Sequence, residues 1–351
     1  MRVVVAMSGG VDSSVAALLL KEKGVEAVGV SMQVWDYRNN GGCLSRATCC
    51  APDDFTDARK TASKIGIPYY VFDFEKTFKS EVIDKFVDSY NKGITPNPCI
   101  DCNSKVKFKE LRERARSFGA NSVATGHYAQ IKEVDGRLRL YRGADREKDQ
   151  SYFLYSITYE ELKETSFPVG HLTKPEVRKL AEGAGLPTAD KPESQDICFV
   201  SGKNSDFIAR IGKPPAGYLV STTGERLGAH DGIHEFTVGQ RKGIKIGGLY
   251  EPLYVVEIRP ESNEVVVGTK KDLEREKFFI KDFAFLYPDE DRFEGTIQVR
   301  SRHRGSPAKV EIVDGGAWVT LTEESCVIAP GQAAVFYNGD ELLGGGRIGR
   351  A

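Results

Sequence analysis

The 351 residues suffice for two or three domains, and 40% apolar with 28% charged residues describes an ordinary folded chain rather than a disordered one. The formal net charge of −1 excludes a globally basic nucleic-acid binder, so any such surface has to be a local patch. No apolar run approaches the ~20 residues of a membrane span, and the N-terminal valines read as a strand rather than a signal peptide, which places the expected location in the cytoplasm.

Val3, Val4, Val5 and Ala6 form a buried-strand pattern, and Val11, Val15, Leu18 and Leu19 recur at helical spacing. Between them lies Ser8-Gly9-Gly10-Val11-Asp12-Ser13-Ser14. A glycine pair permits positive φ and close approach to a ligand, and the helix that follows aims free N–H groups at the same point. The loop is built for an anion, yet it lacks the Lys of a Walker A loop. It is similar to the pyrophosphate loop of enzymes that cleave ATP between the α and β phosphates. The Ser8, Ser13 and Ser14 hydroxyls are then expected to neutralise pyrophosphate, and Asp12 to help hold Mg²⁺.

Further along, 27–34 and 69–74 read as strands and 55–65 as a helix. A helix over 76–90 carries Phe78, Val82, Phe86 and Tyr90, another over 103–118 carries Phe108, Leu111 and Ala115, and 123–127 is a short strand. This alternation predicts an open, mostly parallel α/β sheet, with ligands at the carboxyl ends of its strands. Residues 137–141 read as a strand, 159–165 and 174–182 as helices. From about 205 short alternating strands take over, at 254–258, 264–267, 295–299, 309–313 and 317–321. The expected organisation is a catalytic domain over 1–204, a small central β domain over 205–276 and a barrel-like β domain over 277–351.

Seven cysteines form an odd and clustered set, which suggests chemistry or metal binding rather than stapling. In Thr95-Pro-Asn-Pro-Cys-Ile-Asp-Cys-Asn103, two prolines lead into a helix start, so Cys99 and Cys102 sit where a thiolate is favoured, with Lys105 and Lys107 beyond. A redox pair or half a zinc site are the other readings of that spacing. Cys198 follows a polar loop, Cys326 reads as β-domain core, and Cys43, Cys49 and Cys50 fit a metal site, a redox loop or a plain solvated loop. Two basic stretches, 105–116 and Arg300-Ser-Arg-His-Arg304 with Lys309, suit phosphates or are simply solvated faces. His171, His230 and His234 have no evident partners in the sequence.

Taken together, these stretches closely resemble the bacterial tRNA-specific 2-thiouridylases, over essentially the whole chain. The motifs that carry the resemblance are Met7-Ser-Gly-Gly-Val-Asp-Ser-Ser14, the Thr95–Asn103 run, Ala124-Thr-Gly-His-Tyr128, Lys148-Asp-Gln-Ser-Tyr-Phe-Leu154, Ser194-Gln-Asp-Ile-Cys-Phe199, Gly239-Gln-Arg-Lys-Gly243 and Pro330-Gly-Gln-Ala-Ala-Val-Phe-Tyr337. The resemblance implies ATP on Ala6, Met7, Ser8, Gly9, Gly10, Val11, Asp12 and Ser13, with Met32 and Gly126 near its nucleoside. It implies adenylation of the wobble uracil O2, a persulfide on Cys198 supplied by a sulfur-relay protein, and Cys102 as the catalytic thiol that ends in a Cys102–Cys198 disulfide. It also implies an anticodon-loop partner, with the target base at Asn97, Pro98 and Cys99, His127 beside the ATP pocket, and tRNA contacts at Lys148, Asp149, Gln150, Arg302, His303 and Gln332. The alternative within the same chemistry is a [4Fe–4S] cluster on Cys99, Cys102 and Cys198. Rival classes are another pyrophosphate-loop ligase, a tRNA-binding module that uses ATP as a switch, and a thiol redox protein on Cys99 and Cys102.

Overall fold

The computed structural model describes residues 2–35, 52–193, 197–200, 202–244, 246, 251–286 and 292–350. Cys43, Cys49 and Cys50 lie outside them. The chain divides into two compact units. One comprises residues 1–82, 99–201 and 340–343; the other comprises 83–98, 202–339 and 344–351.

The first strand, β1 (Arg2–Ala6), pairs in parallel with β2 (Glu26–Gln33) on one side. The intervening helix α1 (Val11–Glu22) buries Val11, Val15, Ala16 and Ala17 against the sheet. Helix α2 (Pro52–Ile65) leads to β3 (Tyr69–Asp73), which extends the parallel sheet beyond β2. The predicted helix over 76–90 is broken into α3 (Glu75–Phe78), a π turn (Lys79–Ile83) and α4 (Asp84–Asn91). Its apolar residues recur every four positions, and an α-helix would rotate them progressively off one face. The wider π turn absorbs that drift, and Phe78, Val82, Phe86 and Tyr90 are all buried. The helix predicted from 103 starts earlier, as α5 (Pro98–Asp101) with Pro in its first turn. It continues as a π segment (Cys102–Glu110) into α6 (Leu111–Ser117).

Strand β4 (Ser122–Thr125) pairs in parallel with the other edge of β1. A hairpin of β5 (Ala129–Val134) and β6 (Arg137–Arg142) follows; β5 alternates too weakly to be read from sequence. Helix α7 (Tyr159–Lys163) precedes β7 (Thr165–Ser166), which completes the sheet order β3-β2-β1-β4-β7. Helix α8 (Lys174–Gly183) opens on a capping box of Thr173 and Glu176. Strands run outward from β1 to β3, then resume on the far side at β4. The gap between the ends of β1 and β4 is therefore the switch point at which such sheets bind ligands.

The second unit adds a helix unread in the sequence, α9 (Asn204–Gly212), at the point where only strands were expected. Phe207 of α9 meets Phe86 of α4, and the Asn204 amide donates to the Tyr90 hydroxyl at 3.2 Å, which gathers 83–98 into this unit. A four-stranded sheet follows, built from β8 (Gly217–Ser221), β9 (Arg226–His230), β10 (Tyr254–Arg259) and β11 (Glu264–Gly268) in the order β10-β11-β8-β9. Short β12 (Glu274–Arg275) pairs with β17 (Cys326–Val327). Strands β13 (Lys277–Phe285), β14 (Arg292–Gln298), β15 (Ser306–Val313), β16 (Gly316–Leu321), β18 (Ala333–Asn338) and β19 (Glu341–Ile348) run in the order β13-β16-β15-β14-β18-β19. Ile280 of β13 pairs with Ile348 of β19, so this sheet closes into a six-stranded barrel. Among the described residues no helix is long and apolar enough to cross a membrane.

Candidate active site

The glycine loop sits at the end of β1 as expected. Gly9 has φ +74°, and a Cβ there would stand 2.3 Å from the Asp54 carbonyl oxygen. Two separate constraints thus require glycine at this position. Gly126, just past β4, approaches as closely: a Cβ would lie 2.6 Å from the Ser13 amide nitrogen. The β4 loop therefore lies directly against the turn where α1 begins. Met7 is buried; its carbonyl accepts from the Ser31 hydroxyl at 2.5 Å, and Ser31 in turn accepts from Tyr69 at 2.8 Å. Met32 lies near the end of β2, opposite Phe72.

Two of the three loop hydroxyls are turned inward: Ser13 is buried and donates to the Gly10 carbonyl at 3.1 Å. Ser8 and Ser13 are 3.3 Å apart, and Ser8 N–H donates to the Ser13 oxygen at 3.2 Å. Ser14 is fully buried and donates to the Gly10 carbonyl at 2.8 Å. That differs from the expectation of three phosphate-facing hydroxyls: Ser13 and Ser14 both turn back onto the Gly10 carbonyl, and Ser8 alone does not.

Asp12 is held more tightly than the sequence suggested. One of its oxygens accepts from the Tyr128 hydroxyl at 2.7 Å, and Lys174 Nζ reaches both oxygens at 2.7 and 2.8 Å. The Lys174 ammonium also lies 3.0 Å from Glu193, and Lys148 pairs with the same Glu193 at 2.8 Å. The result is a quartet of two acids and two lysines. Burial first, then the Asp12 charge, pushes the Tyr128 phenol far above its ordinary pKa and keeps it a donor. Burial works against the Glu193 carboxylate, but Lys148 and Lys174 outweigh it and hold its pKa below the usual value. The hydrogen bond to Glu193 raises Lys148. Two positions before Glu193, Lys191 pairs with Asp54 at 2.7 Å and Asp57 at 2.6 Å.

Tyr128, Lys174, Glu193 and Lys191 were not singled out from the sequence. Tyr128 ends the Ala124–Tyr128 motif, where nothing in the sequence ties it to Asp12. Lys174 was visible only as the first residue of a capped helix, with nothing to say that it spans 162 positions to Asp12.

The other expected residues divide by what their side chains already do. His127 is held well below its ordinary pKa by burial and then by Lys107, so the ring is neutral near pH 7; its Nδ1 lies 2.7 Å from the Thr125 hydroxyl. Asp149 is buried against Arg142 at 2.8 Å and accepts from Gly143 N–H and Ser151 N–H. The Gln150 side-chain oxygen accepts from Tyr128 N–H at 3.0 Å. Both residues are committed to holding the loop after β4. In the basic stretch 105–116 the three arginines are engaged with other side chains. Arg112 and Arg116 pair with Glu164 at 3.2 and 2.8 Å, and Arg114 pairs with Glu110 while lying 4.2 Å from the Phe74 ring centroid. These arginines brace the helix against its neighbours.

Cys99 is exposed, whereas Cys102 and Cys198 are partly buried, and none of them is in a disulfide. Cys102 begins the π segment, and the next residue, Asn103, is buried and donates to the Phe153 carbonyl at 3.0 Å. Among the described residues no three His, Cys, Asp or Glu side chains form a group that could hold a metal ion, Cys99, Cys102 and Cys198 included. The three thiols as placed do not fit an iron–sulfur cluster.

In the second unit, Gln332 donates to the Thr95 carbonyl at 3.0 Å, and Thr95 N–H donates to the Pro330 carbonyl at 3.0 Å. Gly331 (φ +89°) lets this turn close on Ile94, where a Cβ would meet a methyl at 2.1 Å. Gln332 thus braces the segment that carries Asn97 and Pro98. His303 lies in the β14–β15 turn, its Nδ1 accepting from Val299 N–H at 3.4 Å, while Arg300, Arg302 and Arg304 beside it are exposed. Burial, then Arg300, lowers the His303 pKa. His230 accepts from Gly232 N–H at 3.1 Å and lies 3.1 Å from the Asn263 carbonyl.

Comparison with known proteins matches the chain in three consecutive segments. Residues 1–202 match the tRNA methyl transferase HUP domain, 205–269 the tRNA methyl transferase PRC-barrel domain, and 275–348 the aminomethyltransferase beta-barrel domain. Among curated relatives, the tRNA-specific 2-thiouridylase MnmA of Rhodospirillum centenum is 48% identical, the match covering 100% of this chain and 92% of the relative. The namesake from Geobacter metallireducens is 47% identical over 100% and 97%, and that from Chloroflexus aurantiacus 45% over 99% and 98%.

Proposed function

The chain belongs to the tRNA-specific 2-thiouridylase family, and on that premise we propose an ATP-driven replacement of the uracil 2-oxygen by sulfur at the wobble position of tRNA. The observation that carries the mechanism is the Asp12–Lys174–Tyr128 cluster at the switch point of the sheet. A pyrophosphate loop without its own lysine requires a cation from elsewhere, and Lys174 stands on it. When the phosphates of ATP enter, the Lys174 ammonium passes from Asp12 to them. Asp12, once released, would hold Mg²⁺ as a single carboxylate beside the substrate phosphates, and the ion would supply charge neutralisation of the leaving pyrophosphate. The Gly9 and Gly10 amides, with Ser8, complete the cradle, while Tyr128 keeps Asp12 oriented.

Uracil C2 has no leaving group until its oxygen is adenylated. O2 attacks the α-phosphorus and pyrophosphate departs. The persulfide on Cys198 then attacks C2 through its terminal sulfur, and AMP leaves. The Cys102 thiolate attacks Cys198 Sγ and breaks the sulfur–sulfur bond. The terminal sulfur stays on C2, and a Cys102–Cys198 disulfide forms, which a two-electron reductant reopens. His127 is neutral beside this crevice and serves as a hydrogen-bonding wall. The base leaves its stack to be reached, which favours an anticodon loop over a duplex. Asn97, Pro98 and Cys99 meet that base, with Gln332 bracing Thr95 behind them. Lys148, Arg302 and His303 border the RNA, whereas Asp149 and Gln150 act through the loop they hold.

The decisive experiment incubates the enzyme with unmodified tRNA, ATP, Mg²⁺ and a persulfide donor, then weighs the anticodon-loop nucleosides by mass spectrometry. The expected result is replacement of one oxygen by sulfur on the wobble uridine, lost in Cys102→Ala and Cys198→Ala. Full activity in both variants would sink the sulfur-transfer route.

A further inference from the structure

The outer face of the barrel carries an aromatic pair that none of the roles above uses. Phe279 of β13 pairs in register with Trp318 of β16, and their rings meet edge to face with centroids 5.1 Å apart. Trp318 is 40% exposed, unusual for the largest apolar side chain on a sheet that has a core to fill. Because side chains alternate along a strand, Lys277 and Lys281 flank Phe279 on the same face, each ~7 Å away. Both lysines are exposed, and Lys277 Nζ lies 5.0 Å from the Trp318 ring centroid. Neither has an ion pair among the described residues. The neighbouring charges cancel: Lys309 pairs with Glu294 at 2.9 Å, and Arg292 with Glu311. What remains is a solvent-facing indole with the Lys277 ammonium beside it and a second exposed ammonium, Lys281, on the other side of Phe279.

We infer that this face, Lys277-Phe279-Lys281 with Trp318, is a stacking platform for unpaired nucleotides of RNA, separate from the turn that holds Arg302 and His303. The inference rests on the reading of the chain as an RNA-modifying enzyme, and adds a contact to it. A base stacks on the indole irrespective of sequence, and the lysines take the phosphates on either side. Lys277 leaves the ring as the base arrives and moves to the backbone. An acidic protein segment would satisfy the lysines but gain nothing from the exposed indole, so the aromatic pair favours RNA.

The chain has two tryptophans, Trp35 and Trp318, so Trp35→Phe makes Trp318 the sole indole reporter. The full-length variant is titrated with a short oligoadenylate, without ATP or sulfur donor, at several salt concentrations. The same oligonucleotide, fluorescein-labelled, is followed by anisotropy in otherwise wild-type protein. Expected are quenching of Trp318, a binding loss of about five- to a hundred-fold in Trp318→Ala, and a fall of about 1.4 in the log–log salt slope for the Lys277→Ala, Lys281→Ala double variant. Unquenched fluorescence, an unchanged slope, or equally strong quenching by oligoglutamate would each overturn the inference. The oligonucleotide contains no uridine, so a failure here is distinct from a failure of thiolation. Quenching that persists in an enzyme unable to thiolate would leave this platform standing and remove the proposed reaction.

Discussion

The crevice of the first unit and the outer barrel face of the second carry the same kinds of charge in opposite circumstances. In the crevice, the Lys174 side chain is only 8% exposed and has two acids within 3.0 Å. On the barrel, Lys277 and Lys281 stand in water beside an aromatic ring. The first arrangement is preorganised and costly to disturb; the second is adaptable and cheap to disturb. A catalytic step that develops charge needs the former, whereas sequence-tolerant holding of a flexible strand needs only the latter.

The hardest test of that contrast is Lys174→Ala. It strands Asp12 beside Glu193 and removes the cation from the loop. Pyrophosphate release in the presence of tRNA should fall by about a hundred- to a thousand-fold, the scale for losing one preorganised charge at a reacting phosphate. A drop of less than threefold would show the pairing to be merely structural. Next in size is Asp149→Asn, which breaks the buried pair with Arg142. It should cost about 3 kcal/mol in denaturant unfolding, with Lys148→Ala far milder in the same assay. A loss of tRNA affinity at unchanged stability would mean that Asp149 meets RNA directly.

Acid should act on the buried imidazoles. His127, His230, His234 and His303 all have folded-state pKa values below the ordinary 6.5, with burial the first cause in each. Well above pH 6.5, near pH 8, these imidazoles are neutral in both folded and unfolded forms and their contribution to stability is level. As pH falls below that, the unfolded chain binds protons first and stability declines, until the folded-state values are passed. Melting followed from pH 8 to pH 5 should show this decline, and His303→Asn should make it shallower. The smallest effect is expected from Glu294→Gln, which frees exposed Lys309 and should alter unfolding by under about 0.5 kcal/mol.

The sheet of the first unit was legible because valine-rich strands and amphipathic helices alternate there with little ambiguity. Helix α9 was not, because nine residues ending in glycine and followed by Pro214-Pro215 look like a turn-rich link. The expectation of one helix over 103–118 failed on its starting point and on its π segment, since neither Pro98 as a first-turn residue nor a widened turn is dictated by apolar spacing alone. At the site, the glycine loop at the end of β1 could be read, because its residues are contiguous. The partners of Asp12 could not, because Tyr128, Lys174 and Glu193 become neighbours only once β4, α8 and the segment after it are folded. The pairings of the arginines in 105–116 were hidden for a related reason: a row of like charges says nothing of the glutamates that will face it.

The quartet of Asp12, Lys174, Glu193 and Lys148 has a net charge of zero, and that has a bearing on which ligands the resting site admits. A self-neutralised loop casts little field into the solvent, so a single phosphate group has small leverage over it. To occupy the cradle, a ligand has to compete with Asp12 for the Lys174 ammonium, and a metal-bearing triphosphate brings both an anion for Lys174 and a cation for Asp12, whereas orthophosphate would leave the Asp12 carboxylate unpaired. The pairing thus favours ligands that carry both signs of charge, before any contact to a base or a ribose is made.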